Sequence, residues 1–198
     1  MEFSKGYIVP FPEKIEKGYV IEENCVTANI DNEDIDGVIM DFVELIDEPM
    51  YIGIHVPLDE EEELKLRQDD ADSFHEKVYY LDNCNREDMR LIIDTFMEVL
   101  VNDGMSKFVI ASHKTGDEMF VQKYNVVTFF SDDTLKIEDI LRKWGCDKKK
   151  ELVVAQDTFT EENPGMCTTY ENEDGINIYD LIDALTQSGM YAGEIIEA

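Results

Sequence analysis

Apolar side chains repeat with two different periods along this chain, and the alternation of those periods limits the folds open to it. In residues 35–46 and again in 89–100, apolar residues recur three and four positions apart, which places them on one face of a helix. Residues 108–111 are instead a continuous apolar run, which is typical of an interior strand covered on both sides. The sequence therefore predicts helices that pack against a sheet.

Several short segments have the composition of strands, with β-branched and aromatic residues bounded by Gly, Pro or Asn. These segments are 7–9, 19–21, 25–30, 50–56, 78–81, 119–121, 126–130 and, less regularly, 153–154. Strict strand–helix–strand regularity is missing, and a hairpin occupies the middle of the chain. We therefore predict an α+β fold in which one domain spans 1–198, with a mixed or mainly antiparallel sheet and about four packed helices.

The charge is strongly unbalanced, because 46 Asp and Glu residues oppose 17 Lys and Arg residues and leave a formal net charge of −29. A soluble domain needs a net charge magnitude of only about 2 to 8, so the excess destabilises the fold through self-repulsion. Residues 59–76 hold nine acids and two bases, and residues 151–198 hold eleven acids and neither Lys nor Arg. The latter segment cannot form internal ion pairs, so its field must face water, counter-ions, the basic stretch 135–150 or a cationic partner.

From its composition we expect a folded chain that carries neither an export signal nor a membrane span. Hydrophobic residues make up 43% of the chain, which separates it from disordered acidic tails. Pro10 and Pro12 interrupt the place where a signal peptide needs an apolar core, and no stretch approaches the ~18 apolar residues of a membrane span. We therefore expect a cytoplasmic protein that does not bind membranes.

The four Cys and three His residues are far apart in the sequence, so we expect reduced thiols and neither a metal nor a cofactor. Residues 32–37 imitate the start of an EF-hand loop, but Val43 stands where the bidentate Glu is required. His75 begins a pattern like the zinc-binding His-Glu-x-x-His, but Tyr79 replaces the second His. The four cysteines, which form no Cys-x-x-Cys pair, are Cys25, Cys84, Cys146 and Cys167.

One polar turn, at 112–118, groups the most reactive side chains, namely Ser112, His113 and Asp117. The nucleophile, base and acid of a catalytic triad usually come from separate elements of the fold. This local grouping therefore favours a turn in which polar side chains bond to nearby backbone. An enzyme with a site near His113 stays open as an alternative.

The charge favours a binding role, because complementary charge accelerates encounter with a basic partner. We predict an acidic binding or inhibitor protein that captures a basic protein, without direct binding to nucleic acid. In size, acidity and predicted α+β character, the chain resembles bacterial immunity proteins that neutralise toxic nucleases; no motif carries this resemblance. Nucleic-acid mimicry, in which spaced carboxylates imitate phosphates, is a further alternative, and the oligomeric state stays open. The predicted binding residues are Glu60, Glu61, Glu62, Glu63, Glu171, Glu173 and Asp174.

We expect the purified protein to hold no stoichiometric zinc or iron, because its Cys and His residues lack ligand spacing. Elemental analysis by mass spectrometry checks this expectation. A tightly bound zinc or iron ion in every chain would contradict it, whereas calcium loosely held by scattered carboxylates would not.

Overall fold

The computed structural model describes residues 1–67, 69 and 72–198. Five α-helices lie in these ranges: α1 (Asn32–Leu45), α2 (Glu60–Leu66), α3 (Arg86–Asn102), α4 (Thr134–Lys143) and α5 (Ile178–Thr186). The strands there are β1 (Tyr7–Ile8), β2 (Gly18–Glu22), β3 (Cys25–Asn29), β4 (Met50–Pro57), β5 (His75–Cys84), β6 (Lys107–Ser112), β7 (Glu118–Val121), β8 (Val126–Phe130), β9 (Met166–Cys167) and β10 (Tyr191–Glu197). None of these helices combines the length and apolar composition needed to cross a membrane.

Eight of the strands form one antiparallel sheet in the order β10-β5-β4-β6-β7-β8-β3-β2. The short strands β1 and β9 pair separately, with Tyr7 opposite Cys167. The predicted α+β class with a mainly antiparallel sheet is confirmed, with five helices in the described ranges rather than about four.

Side chains alternate between the two faces of this sheet, and helices cover one face. Residues opposite each other in an antiparallel ladder share a face, so Ile52 of β4 and Ile110 of β6 both point into the core, where each is fully buried. Above them α3 packs against α1 and α5, and α1 packs against α4. Phe42 of α1 meets Phe129 of β8 with ring centroids 5.6 Å apart. The main apolar core therefore lies between this helix layer and the sheet.

Local signals set the ends of the helices. The spacing of Asn85 and Asp88 predicts a capping box, and the Asn85 side chain accepts a hydrogen bond from the Asp88 N–H at 2.9 Å. In return, the Asp88 carboxylate accepts from the Asn85 N–H at 3.2 Å, so α3 begins at the predicted place. Gly145 follows α4 with φ of +71°, the left-handed conformation that ends many helices.

The structure contains two strands that the sequence pattern does not predict and lacks one that it does. Strand β10 is mostly exposed and is a strand because it pairs with β5, and β9 is a strand because it pairs with β1. The prediction of a strand at 153–154 is wrong. The Val153 carbonyl accepts a hydrogen bond from Asn29 Nδ2 at 2.8 Å and joins no ladder.

The two edges of the sheet differ in whether another segment bonds to them: residues 147–149 bond to β2, whereas the outer side of β10 pairs with no strand in the described ranges. At β2, the Tyr19 N–H donates to the Asp147 carbonyl at 3.0 Å, and the Lys149 N–H donates to the Tyr19 carbonyl at 2.8 Å. No strand of the described ranges pairs with the outer side of β10, whose register with β5 shifts between Ala192 and Ile195. Strand β10 is therefore the open edge.

We expect Ile93→Ala to lower the free energy of unfolding by about 2 to 5 kcal/mol. Ile93 of α3 is 1% exposed and belongs to the core. Leu91→Ala on the same helix is the matched control, because Leu91 is 68% exposed, and its effect should stay below about 0.5 kcal/mol. Urea unfolding measures both changes, and equal losses would contradict this orientation of α3.

Candidate functional site

Helix α2 separates two cavities near the point where β4 ends and β5 begins. Asp59 caps the helix, because its side chain accepts a hydrogen bond from the Glu62 N–H at 2.8 Å. One side of α2 lines a cavity of about 390 Å³ with Glu61 and Glu62. The opposite side lines a cavity of about 730 Å³ with Glu60 and Leu64. The helical period thus divides the consecutive glutamates of α2 between two surfaces.

Two glutamates of α2 are bonded to β5. Glu63 is 9% exposed; its Oε2 accepts from the His75 backbone N–H at 3.1 Å, and its Oε1 lies 3.0 Å from His75 Nδ1. Hydrogen bonding to His75 lowers the pKa of Glu63. Lys77 Nζ donates to Glu62 Oε1 at 3.2 Å, which raises the pKa of Lys77. Glu63 therefore anchors α2 to the sheet and contributes little to the exposed charge.

The second predicted acidic segment follows β9 and is bonded to the end of α3. The Thr168 carbonyl accepts a hydrogen bond from the Gly104 N–H at 2.9 Å. Two residues further, the Tyr170 N–H donates to Asp103 Oδ2 at 3.0 Å. These bonds fix the position of the exposed Glu171 beside α3.

A tight turn then presents Glu173 and Asp174 to solvent. Asn172 Oδ1 accepts hydrogen bonds from the Asp174 N–H at 3.1 Å and from the Ile176 N–H at 2.9 Å. Gly175 completes the turn with φ of +79°, which a glycine adopts without strain. The turn holds two exposed carboxylates close to Glu171.

Tyr179, in the first turn of α5, brings the two acidic segments together. Its side chain lines the 390 Å³ cavity that contains Glu61 and Glu62, and it also lines a cavity of about 180 Å³ that contains Glu171. The two cavities therefore adjoin at Tyr179, which is 49% exposed. We call this surface the acidic groove and define it by Asp59, Glu61, Glu62, Glu171 and Tyr179.

The charge of the acidic groove is only partly balanced. Among the described residues, the cations that line it are Lys65 and Lys77, and Lys77 is already bonded to Glu62. Burial and the nearby carboxylates of Asp103 and Asp59 raise the pKa of Tyr179, so its hydroxyl stays protonated and can donate a hydrogen bond. The groove therefore offers carboxylates and the exposed ring of Tyr179 to a ligand.

The cations at the end of α4 and just after it pair elsewhere than in the acidic groove. Lys143 Nζ lies 2.6 Å from Asp41 Oδ2 on α1, and Lys149 Nζ lies 2.8 Å from Glu16 Oε2 near β2. Lys143 thus joins α4 to α1, and Lys149 joins the segment after α4 to the segment before β2.

The larger cavity is lined in part by a buried ionic cluster around Glu76, which is 2% exposed. Lys107 Nζ lies 2.7 Å from Glu76 Oε2, His55 Nδ1 lies 3.6 Å from the same oxygen, and Lys123 Nζ lies 3.8 Å from Oε1. Burial acts to raise the pKa of Glu76, but the proximity of His55 and Lys107 outweighs it and lowers that pKa. The cluster connects β4, β5 and β6.

The polar turn after β6 brings His113 to an acid distant in sequence but assembles no triad. His113 Nε2 lies 2.9 Å from Asp82 Oδ1. Ser112 Oγ accepts hydrogen bonds from the backbone N–H groups of residues 114 and 115 at 3.1 and 3.2 Å. Asp117 is 3% exposed and forms an ion pair with α4. Ser112 and Asp117 therefore stabilise the turn, as their local grouping predicts.

The structure distributes the predicted binding residues over four environments. Glu61, Glu62 and Glu171 lie in the acidic groove, Glu173 and Asp174 in the adjoining turn, Glu60 at the larger cavity and Glu63 in contact with His75. Sequence reasoning missed Tyr179, whose signal is an aromatic residue on the polar side of an acidic helix. In the part of the chain that the structure describes, no group of three or more Asp, Glu, His or Cys side chains is arranged to hold a metal ion.

No family model, curated protein or solved structure matches this chain. The function is therefore argued from the geometry and charge of its own residues.

We expect acid to destabilise the protein partly through Glu76. Its folded-state pKa lies below the value of about 4.3 for an unfolded glutamate, so its stabilising contribution is complete above that pH and is lost as the pH falls through the folded-state pKa. Glu76→Gln should therefore lose less stability than the parent between about pH 6 and about pH 3.

Denaturant unfolding at a series of pH values measures this difference. Glu61→Gln, which removes an exposed carboxylate, is the control for lost charge. Parallel curves for the parent and Glu76→Gln would contradict the prediction.

Proposed function

We propose that this protein binds a basic protein partner through the acidic groove and inhibits the partner by covering its cationic surface. The observation that supports the proposal is the convergence at Tyr179 of two acidic segments that are distant in sequence. A tyrosine supplies contact area and a polar hydroxyl at low entropy cost, and carboxylates around it complement lysine and arginine side chains.

The net charge supports a basic protein over other partners. Repulsion opposes the approach of a nucleic acid and of a second copy of a chain that carries −29. For a basic protein the same field accelerates the encounter, although salt limits its reach to ~8 Å at physiological ionic strength. The carboxylates of the groove then act at short range, where they fix the orientation of the partner.

The proposed partner class is that of toxic basic enzymes such as nucleases, with the protein acting in the cytoplasm. This part of the proposal extends the resemblance to immunity proteins in size, acidity and α+β class. Inhibition requires only that the groove cover the partner's substrate-binding cations, because an enzyme that acts on phosphates needs those cations free.

We expect neutralisation of the groove to slow association. The double variant Glu61→Gln/Glu171→Gln removes one carboxylate from each acidic segment and should reduce the association rate by about 3- to 10-fold at low salt, with a smaller effect at high salt. A partner captured from lysate at low salt and identified by mass spectrometry is used for stopped-flow measurements across a salt series.

The matched control is Glu22→Gln/Glu23→Gln at the β2–β3 turn, which removes the same charge at the far edge of the sheet. An equal effect of both double variants would show that only the net charge acts, and salt-independent association would contradict the proposal. Displacement of the captured partner by duplex DNA would favour nucleic-acid mimicry.

A further inference from the structure

A row of aromatic rings crosses the sheet face opposite the apolar core and its helix layer. The ring centroids of His113 and Tyr51 are 4.9 Å apart, those of Tyr51 and Tyr80 are 6.2 Å apart, and those of Tyr80 and Tyr191 are 6.2 Å apart. The row extends from the end of β6 across β4 and β5 to the open edge β10. We call these four side chains the tyrosine platform.

The platform lies opposite the acidic groove, because successive residues of β5 point to opposite faces. Tyr79 pairs with the core residue Ile54 in the β4–β5 ladder, and its side chain lines the same cavity as Tyr179. Tyr80 pairs with Gly53, so its side chain points to the opposite face of the sheet. Binding at one surface can therefore be separated experimentally from binding at the other.

Two glycines allow the Tyr80 ring to lie flat on the sheet. A Cβ atom on Gly193 would lie 2.7 Å from Tyr80 Cδ2 and Cε2, and a Cβ atom on Gly53 would lie 3.1 Å from Tyr80 Cε1 and 2.7 Å from Val109 Cγ1. The ring therefore covers the backbone of both neighbouring strands. Its outer face stays available to a ligand, since Tyr80 is only partly buried.

Each tyrosine of the platform is oriented by a carboxylate. The Tyr191 hydroxyl donates to Asp82 Oδ2 at 2.5 Å, and the Tyr80 hydroxyl donates to Glu194 Oε1 at 2.9 Å. Asp82 follows Leu81, which pairs with the core residue Ile52, so the alternation of β5 places the Asp82 side chain on the platform face, where it also contacts His113. The result is a set of exposed or partly exposed rings edged by anionic groups.

The Tyr51 hydroxyl lies 3.4 Å from Glu118 Oε2, so the third tyrosine also has an acidic neighbour. Burial and Glu118 raise the pKa of Tyr51 to about 12, and burial and Glu194 raise the pKa of Tyr80 to about 12. Both hydroxyls therefore stay protonated at neutral pH, and the negative charge at the platform is confined to the carboxylates along its edge.

A guanidinium group matches this chemistry. It is planar, so it stacks on a tyrosine ring, and its N–H groups reach carboxylates at the edge of that ring. An ammonium group gains the cation–π attraction without the planar stacking. A neutral sugar could stack on the rings but would leave the charge of Asp82, Glu118 and Glu194 unmatched, and a nucleic acid or a second copy of this chain would be repelled.

We propose that the tyrosine platform is a second binding surface, selective for arginine side chains of a basic peptide or protein segment. It is independent of the acidic groove, so either proposal can fail while the other holds. The arginine stacks on Tyr80 and Tyr191, and its guanidinium pairs with Asp82 or Glu194.

The test uses the full chain and three pentapeptides, Gly-Arg-Gly-Arg-Gly and its lysine and citrulline counterparts, with cellobiose as the neutral sugar. Citrulline keeps the shape of arginine and lacks its charge. Calorimetry should give the affinity order arginine, lysine, citrulline, and nuclear magnetic resonance should show shifts in the ring signals of Tyr51, Tyr80 and Tyr191. Tyr191→Leu should weaken the arginine peptide by about two- to five-fold, the size of one exposed cation–π contact.

Tyr191 is 51% exposed on the edge strand, so Tyr191→Leu is not expected to unfold the protein, and Asp82→Asn tests the carboxylate separately. Tyr179→Leu is the matched control on the opposite face and should leave the platform shifts unchanged. Equal affinity for arginine and citrulline would overturn the proposal, as would ring shifts confined to Tyr179. Preferential binding of cellobiose would overturn it in favour of a sugar-binding surface.

Discussion

The shortage of cations is the constraint on which this structure depends. Seventeen Lys and Arg residues serve 46 acids, and several of those cations join elements distant in sequence. Lys107 of β6 pairs with Glu76 of β5 across the intervening strand β4, and Lys143 of α4 pairs with Asp41 of α1. Cations used in this way stabilise the fold, and the surplus carboxylates remain at α2 and at the turn after β9. The field of the acidic groove thus follows from where the cations lie.

Strand β5 organises both proposed binding surfaces. The alternation of its side chains places Tyr79 on the side of the acidic groove and Tyr80 on the side of the tyrosine platform. Its first residue, His75, also anchors α2 through Glu63. A register slip of one residue in β5 would exchange its two faces, so core packing of the alternate residues protects both surfaces together.

Elements whose signals are local could be predicted from the sequence, and features made by long-range pairing could not. Helix α3 has a regular apolar stripe and its own capping box, so its position required no tertiary information. Strand β10 carries little apolar periodicity and owes its conformation to β5. Similarly, both acidic segments could be recognised by composition, but their meeting at Tyr179 depends on the packing of α5. Glu61 is exposed and Glu63 is buried because only the Glu63 side of α2 faces His75, which composition does not reveal.

The open edge at β10 has a consequence for how copies of this protein behave at high concentration. A long regular edge strand is a template on which another chain can add a strand, the first step of fibre growth. The shift in pairing between Ala192 and Ile195 interrupts such a template, and Glu194 lies within the interrupted stretch and bonds to Tyr80. The irregularity that seats Gly193 beneath the Tyr80 ring therefore also limits assembly of the protein into extended β-aggregates.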